Sequence, residues 1–424
     1  MKQEKPIEIS AAAESEKFFT TPLIIIFVTI FIDLIGFGMV IPILPFYASS
    51  EQFQATPFEI GILFSIYSWM QFFFSPVLGR LSDKYGRRPI LFISLLGSAV
   101  GYFVVGFATT LFLVFLGRII GGITGGNISA AQAYIADVTS KENRAKGMGL
   151  FGAAFGLGFI LGPALAGILS KYGIHVPFYF AAILSLANAI ALYFILPESL
   201  KPELRNRQHE KKGGFAEMFA SLADPKFRLI SLVYFLLITA FSIMTYAFVL
   251  VTAFTFDYNA EQNGYLFAYV GFIAIIMQGA VFGFAAKRFG EARLAVLGCL
   301  ILTASLFAMP YSEPAFGGLA GLLVISAFLS FGNAFASPAL SSLASKNAGE
   351  HEQGRVMGVM QSGASLARAI GPMIGGVLLN NSLNKVDRFT VFRTYWAASA
   401  IMFVAFLAAL HFARTIKDKT GEIG

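Results

Sequence analysis

Twelve runs of about 20 mostly apolar residues, parted by short charged loops, leave this chain few folds to choose from. As helix, such a run crosses a ~30 Å hydrocarbon core at 1.5 Å per residue. Hydrocarbon offers the backbone no hydrogen-bond partner, so each crossing segment must close its own N–H and C=O groups, and a helix does so alone. The runs fall near residues 20–46, 57–78, 89–107, 111–136, 147–170 and 177–196, then 227–253, 262–286, 292–310, 315–345, 355–379 and 391–413. With 56% hydrophobic and 13% charged residues in 424, there is too little charge to cover a soluble domain of this size.

The charges report topology. Two of the 31 Lys and Arg lie inside spans and four (Lys171, Lys385, Arg388, Arg393) on one face, leaving 25 on the other. The basic side is expected to be cytoplasmic, with both termini on it. The net charge of +7 thus reads as a membrane signal, with no nucleic acid as partner. The single cysteine, Cys299, lies in an apolar run, and the four histidines (His175, His209, His351, His411) lie in loops or at a span end. No metal site and no cofactor are expected, nothing calls for an oligomer, and no nucleophile, phosphate loop or metal cluster suggests an enzyme.

The chain repeats itself. RAKGMGLFGAAFGLGFILGPALAG (144–167) aligns with QGRVMGVMQSGASLARAIGPMIGG (353–376) at a constant offset, Gly162–Pro163 meeting Gly371–Pro372. The expected fold is an all-α membrane protein of 12 transmembrane helices in two pseudo-symmetric six-helix bundles, residues 20–196 and 227–413. A cytoplasmic linker (197–226) and cytoplasmic tails (1–19 and 414–424) complete the expected organisation.

Between the second and third runs lies GRLSDKYGRRPIL (79–91), with Arg80, Lys84, Arg87 and Arg88 around Asp83. Lipid does not accept that density of charge, so a short turn at the membrane surface is expected, with Gly79 and Gly86 supplying tight geometry. A weaker copy, GFAAKRFGEARL (283–294), has Lys287 in place of Asp83.

Three ionisable side chains lie deep in spans: Asp33, Arg118 and Arg368. Counting residues from the span ends puts Asp33 ~16 Å and Arg368 ~20 Å from the cytoplasmic end, and Arg118 ~10 Å from the outer end. All three fall in one layer near the midplane. Two readings of Asp33 stay open: a proton switch, balanced between desolvation and a nearby guanidinium, or a permanent ion pair with an arginine. Neutral polar residues within spans, Gln71, Asn127, Gln132, Asn188, Gln278, Asn333 and Gln361, are candidates for a central cavity or for helix-to-helix hydrogen bonds. Tyr234 and Tyr246 are candidates for an aromatic pocket wall. Gly158, Gly162, Pro163 and Gly167 predict a kinked, closely packed fifth span.

The loop spacing resembles the signature loop of the major facilitator superfamily. With GRIIGGITGG (117–126), AYIADVTSKENRAKG (133–147), LPES (196–199) and the Gly–Pro motif of span 5, the chain resembles its twelve-span drug/proton antiporters, most of all the tetracycline/proton antiporters. The resemblance implies export of small lipophilic molecules in exchange for protons, across a bacterial plasma (inner) membrane. It implies coupling by Asp33 and Arg118, here joined by Arg368. It also implies a cytoplasmic gate of Asp83 and Arg87 joined by Asp137 and Arg144, with Gly79, Gly86 and Arg88 in the same loop. Tetracycline pumps carry further acids in spans 3 and 9 and a histidine in span 8. Here LLGSAVGYF, LGCLILTASL and FAYVGFIAIIMQGAVFG have none. The expectation is therefore drug export in general, with magnesium–tetracycline left open as a substrate. A uniporter or importer of a sugar, metabolite or lipid is the alternative on the same scaffold.

Overall fold

The computed structural model describes residues 19–140, 143–200, 225–314, 317–347 and 353–420. Among the described residues twelve helices are long and apolar enough to cross a bilayer, and there are no strands. They are α1 (Thr21–Ala48), α2 (Pro57–Tyr85), α3 (Arg87–Gly106), α4 (Leu111–Val138), α5 (Arg144–Ser170) and α6 (Val176–Ile195) in the first half. The second half holds α7 (Pro225–Phe256), α8 (Ala260–Phe289), α9 (Glu291–Tyr311), α10 (Gly318–Asn347), α11 (Gln353–Leu379) and α12 (Arg388–Thr420). Most of the expected linker, including Lys201, Arg205, Arg207, Lys211 and Lys212, lies outside the described residues.

The surface turn at 79–91 is tighter than the sequence pattern suggests. Helix α2 continues through the charged residues to Tyr85, and α3 starts at Arg87. Charge forbids hydrocarbon but not helix, so a helix that has left the lipid runs on until its backbone is turned. Gly86 alone makes that turn, at φ 108°, where a side chain would be strained. Gly290 does the same at φ 80° between α8 and α9.

Other repeated features confirm the pseudo-symmetry of the halves. Thr56 and Glu59 cap α2 reciprocally, the Glu59 N–H donating to Thr56 Oγ1 (3.2 Å) and the Thr56 N–H to Glu59 Oε2 (2.8 Å). Asn259 and Gln262 repeat this at α8 (2.9 and 3.0 Å). The halves then meet along two matched seams, α2 against α11 and α5 against α8. A Cβ on Gly61 would lie 2.6 Å from the Pro372 carbonyl oxygen and 3.0 Å from Gly376 Cα, and one on Gly264 would lie 2.6 Å from Gly167 Cα. Only glycine permits helices to approach so closely.

These seams are tight at one end only. Beyond Ile160 and Gly271, which still touch, Gly149, Gly152 and Gly156 of α5 and Gly279 and Gly283 of α8 have open space around them among the described residues. The bundles are therefore closed on the side away from the 79–91 turn and parted on the side that bears it. The closed end carries a cross-bundle ion pair, Lys171 Nζ to Glu261 Oε1 at 2.8 Å, and a hydrogen bond from the Tyr246 hydroxyl to the Pro57 carbonyl. Lys171 is 46% exposed, so solvent screens the pair and it holds this end closed only weakly. Lys171→Gln is expected to shift the open–closed balance at this end about two-fold. Cys299 is the chain's one cysteine and is fully buried. Thiol labelling of Ile174→Cys, at the notch beside the pair, reads the shift directly.

Candidate functional site

A cavity opens between the halves at the depth of Asp33. Its walls come from α1, α2, α3, α4, α5 and α11. Asp33, Gln71, Asn127 and Arg368 all line it. Asp33 Oδ2 accepts a hydrogen bond from Asn127 Nδ2 at 3.3 Å. Arg368 Nη2 reaches Ser365 Oγ at 3.1 Å on its own helix. Neither charge has an ionic partner within 4.0 Å among the described residues. The structure thus has Asp33 and Arg368 facing one cavity from opposite halves, and among the described residues neither is held in an ion pair.

Arg118 is placed differently. It is 5% exposed, packs its guanidinium 4.4 Å from the Tyr67 ring centroid, and donates from Nε to the Leu63 carbonyl at 3.3 Å. Tyr67 lines the cavity and Arg118 does not, so Arg118 meets the cavity wall through its contact with that ring. A desolvated guanidinium over a phenol ring gains ~1–2 kcal/mol, which offsets part of its burial. Tyr67 and Tyr102, another lining residue, carry no charge in the sequence and were not singled out by it.

Local backbone explains how Asn127 reaches Asp33. Helix α4 breaks into a 3-10 turn at Gly125–Asn127, midway along its span. Such a turn frees carbonyls and rotates the helical residues beyond it. The Gly125 carbonyl is taken by Gln71 Nε2 at 2.9 Å, and both Gln71 (7% exposed) and Asn127 (6%) are buried. The glycine-rich GGITGGN was the available signal.

Gly158 and Gly162 pack against α1, a Cβ on Gly162 lying 2.6 Å from the Ile35 carbonyl oxygen, and Pro163 and Gly167 lie against α8. This stretch presses the Asp33 helix and the second half together. Gln132, Gln278, Asn333, Gln361, Tyr234 and Tyr246 are not among the side chains lining this cavity. Tyr246 is buried in the closed seam, and Gln278 is exposed on a π-turn of α8 (Met277–Val281). Asn188 Nδ2 donates to the Thr29 carbonyl at 2.9 Å, a helix-to-helix bond.

On the parted side, Arg87 organises a polar cluster. Its side chain, 4% exposed, donates to Asp83, to Ser82 Oγ (2.8 Å) and to Asp137 Oδ2 (3.2 Å). Gly79 lies against Ser129 of α4, where a Cβ would come 3.2 Å from Oγ. Arg88 donates to the Tyr193 carbonyl. The side chain of Arg144 lies outside the described part of the structure. Glu198 was missed as a site residue although LPES contains it. Its carboxylate accepts the Arg87 and Arg88 N–H groups (2.9 and 3.2 Å), an anion seated on the positive end of α3. In the second half the polarity is reversed: Glu291, the counterpart of Arg87, accepts from Lys346 Nζ (2.7 Å) and Ser342 Oγ (2.7 Å).

Two six-helix halves around a cavity lined by Asp33 and Arg368 define a membrane transporter of the alternating-access kind. Comparisons with known proteins make this specific. The model of the Major Facilitator Superfamily matches residues 26–372, with a second match over 279–423, and the chain belongs to that superfamily. It is 31% identical over 402 residues to the class H tetracycline resistance protein of Pasteurella multocida, covering 92% of this chain and 95% of that one. Multidrug resistance protein 2 of Bacillus subtilis (strain 168) is 29% identical over 367 residues, covering 86% and 90%. Among solved structures, the human organic anion transporter MFSD10 (TETRAN) superposes with a TM-score of 0.68 at 25% identity, covering 92% of this chain and 99% of that one. The nucleoside transporter NupG superposes at 0.71 with 14% identity over the same shares, a likeness of fold alone.

Proposed function

We propose that this protein exports small lipophilic, drug-like molecules in exchange for protons. The observation that carries this reading is Asp33: an acid at midplane depth, on a cavity between two halves, held by a neutral amide and by no cation within 4.0 Å among the described residues. Such a carboxyl is free to take and release a proton as the cavity opens to one side and then the other. Arg118 and Arg368 set the field around it, and Arg118, always charged, acts through Tyr67. The names of the relatives, tetracycline and multidrug resistance proteins, support a drug-like substrate.

In this reading residues 20–196 and 227–413 rock as units joined by 197–226, with both termini cytoplasmic in a bacterial inner membrane. The parted side, which bears the basic loops, is then the cytoplasmic side, and the structure is the inward-open state. The gate cluster of Gly79, Asp83, Gly86, Arg87, Arg88, Asp137 and Arg144 closes that side in the other state. Gln71 and Asn127 contact substrate, while Gln132, Gln278, Asn333, Gln361 and Tyr234 join the wall when the halves close. Tyr246 acts at the outer seam. The unit is a monomer, with no cofactor beyond the proton.

Inside-out vesicles containing the protein test this directly. Acidifying the lumen by one unit is expected to drive about tenfold accumulation of a lipophilic dye per proton exchanged, abolished by a protonophore. Accumulation that survives collapse of the proton gradient would remove the proton from the mechanism.

A further inference from the structure

We propose that the cavity selects aromatic zwitterions, with the substrate's cationic nitrogen at Asp33 and its acid group at Arg368; this rests on the export reading above. The two charges come from different halves, Asp33 from α1 and Arg368 from α11, and both line the same space. Their side-chain hydrogen-bond partners are neutral, Asn127 and Ser365, and neither has a counter-ion within 4.0 Å among the described residues.

A charge withdrawn from water is costly until an opposite charge meets it. A monocation would satisfy Asp33 and leave Arg368 uncompensated, and a monoanion would do the reverse. A ligand carrying both charges satisfies both walls at once and ties one half to the other. Arg368 is suited to the acid, since its planar fork donates two parallel bonds to a carboxylate.

Phe37, Tyr67, Phe151 and Phe155 line the same cavity as the two charges, with Phe159 packed against this aromatic wall. Phe37 lies 5.1 Å from Tyr67 and 5.5 Å from Phe159, and Phe159 stacks on Phe155 at 4.8 Å, ring centroid to centroid. Flat rings fit such a surface by offset stacking. The other titratable side chains lining the cavity are Arg368 and the phenols Tyr67 and Tyr102, which are neutral at pH 7. The cationic nitrogen and the proton therefore compete for Asp33 alone, which keeps the exchange one for the other.

A matched set of xanthene dyes tests this: a zwitterionic rhodamine bearing a free carboxylate, its ethyl ester (a cation) and fluorescein (an anion). The half-maximal concentration for proton-driven efflux is measured in inside-out vesicles for wild type, Arg368→Gln and Arg368→Lys. The readout is the zwitterion-to-ester preference within one protein, so a general loss of folding or coupling cancels. Wild type is expected to prefer the zwitterion, Arg368→Gln to lower that preference about tenfold, and Arg368→Lys to retain part of it. A preference unmoved by Arg368→Gln, or efflux of the ester with exclusion of the zwitterion, overturns the assignment while leaving export intact. Wild type that moves none of the three dyes under a pH gradient overturns the export reading itself.

Discussion

Asp33→Asn is expected to abolish concentrative efflux while leaving downhill exchange in place. One proton crossing one pH unit supplies ~1.36 kcal/mol, equivalent to a tenfold substrate gradient, and removal of the titrating group should collapse that gradient to unity. Asparagine keeps the volume of the side chain and can still bond to Asn127, so the cavity wall should survive the exchange. Asp33→Glu restores an acid and should recover part of the coupling. The measurement is accumulation with and without an imposed pH gradient, set beside counterflow at equal pH. Undiminished uphill transport by Asp33→Asn would mean that another group carries the proton.

The second large effect is expected at Arg87. Its guanidinium, 4% exposed, joins two carboxylates that are themselves only 32% (Asp83) and 25% (Asp137) exposed. Arg87→Ala leaves these acids facing one another across a vacated space. Breaking such a buried arrangement by removing one partner costs roughly 3 kcal/mol. Arg87→Lys should recover only part of this, because one ammonium cannot fork to Asp83, Ser82 and Asp137 together. These bonds all lie within the first half, among α2, α3 and the end of α4, so the loss should appear as a lower melting temperature in detergent with either side open. A melt unchanged by Arg87→Ala would show that the cluster contributes no net stability. The second half offers an internal control, since its Glu291–Lys346 pair has the reversed sign and leaves Lys346 67% exposed. Glu291→Ala should have the smaller effect.

Much was legible without coordinates, for a reason specific to lipid. Hydrocarbon penalises each unpaired backbone group and each charge locally, whatever the rest of the chain does. Span number, the repeat of 144–167 in 353–376, and the depth of Asp33, Arg118 and Arg368 could therefore be read one segment at a time. So could the tight turn, although its reduction to Gly86 alone depended on α2 staying helical beyond the lipid.

The tertiary structure decided which way those side chains face. Successive residues of a helix differ by about 100° in direction, so one residue of axial rotation moves a side chain between cavity and packed interior. That rotation is set by contacts far apart in sequence. Arg118 packs against Tyr67, 51 positions earlier in the chain, and does not line the cavity, whereas Arg368 is presented to the same cavity as Asp33. Tyr246 went to the seam against Pro57, and Glu198 came back to seat on the start of α3. Which end of the two halves is closed is likewise a property of their mutual fit, through glycines at 61, 167, 264 and 376 whose packing partners no local pattern specifies.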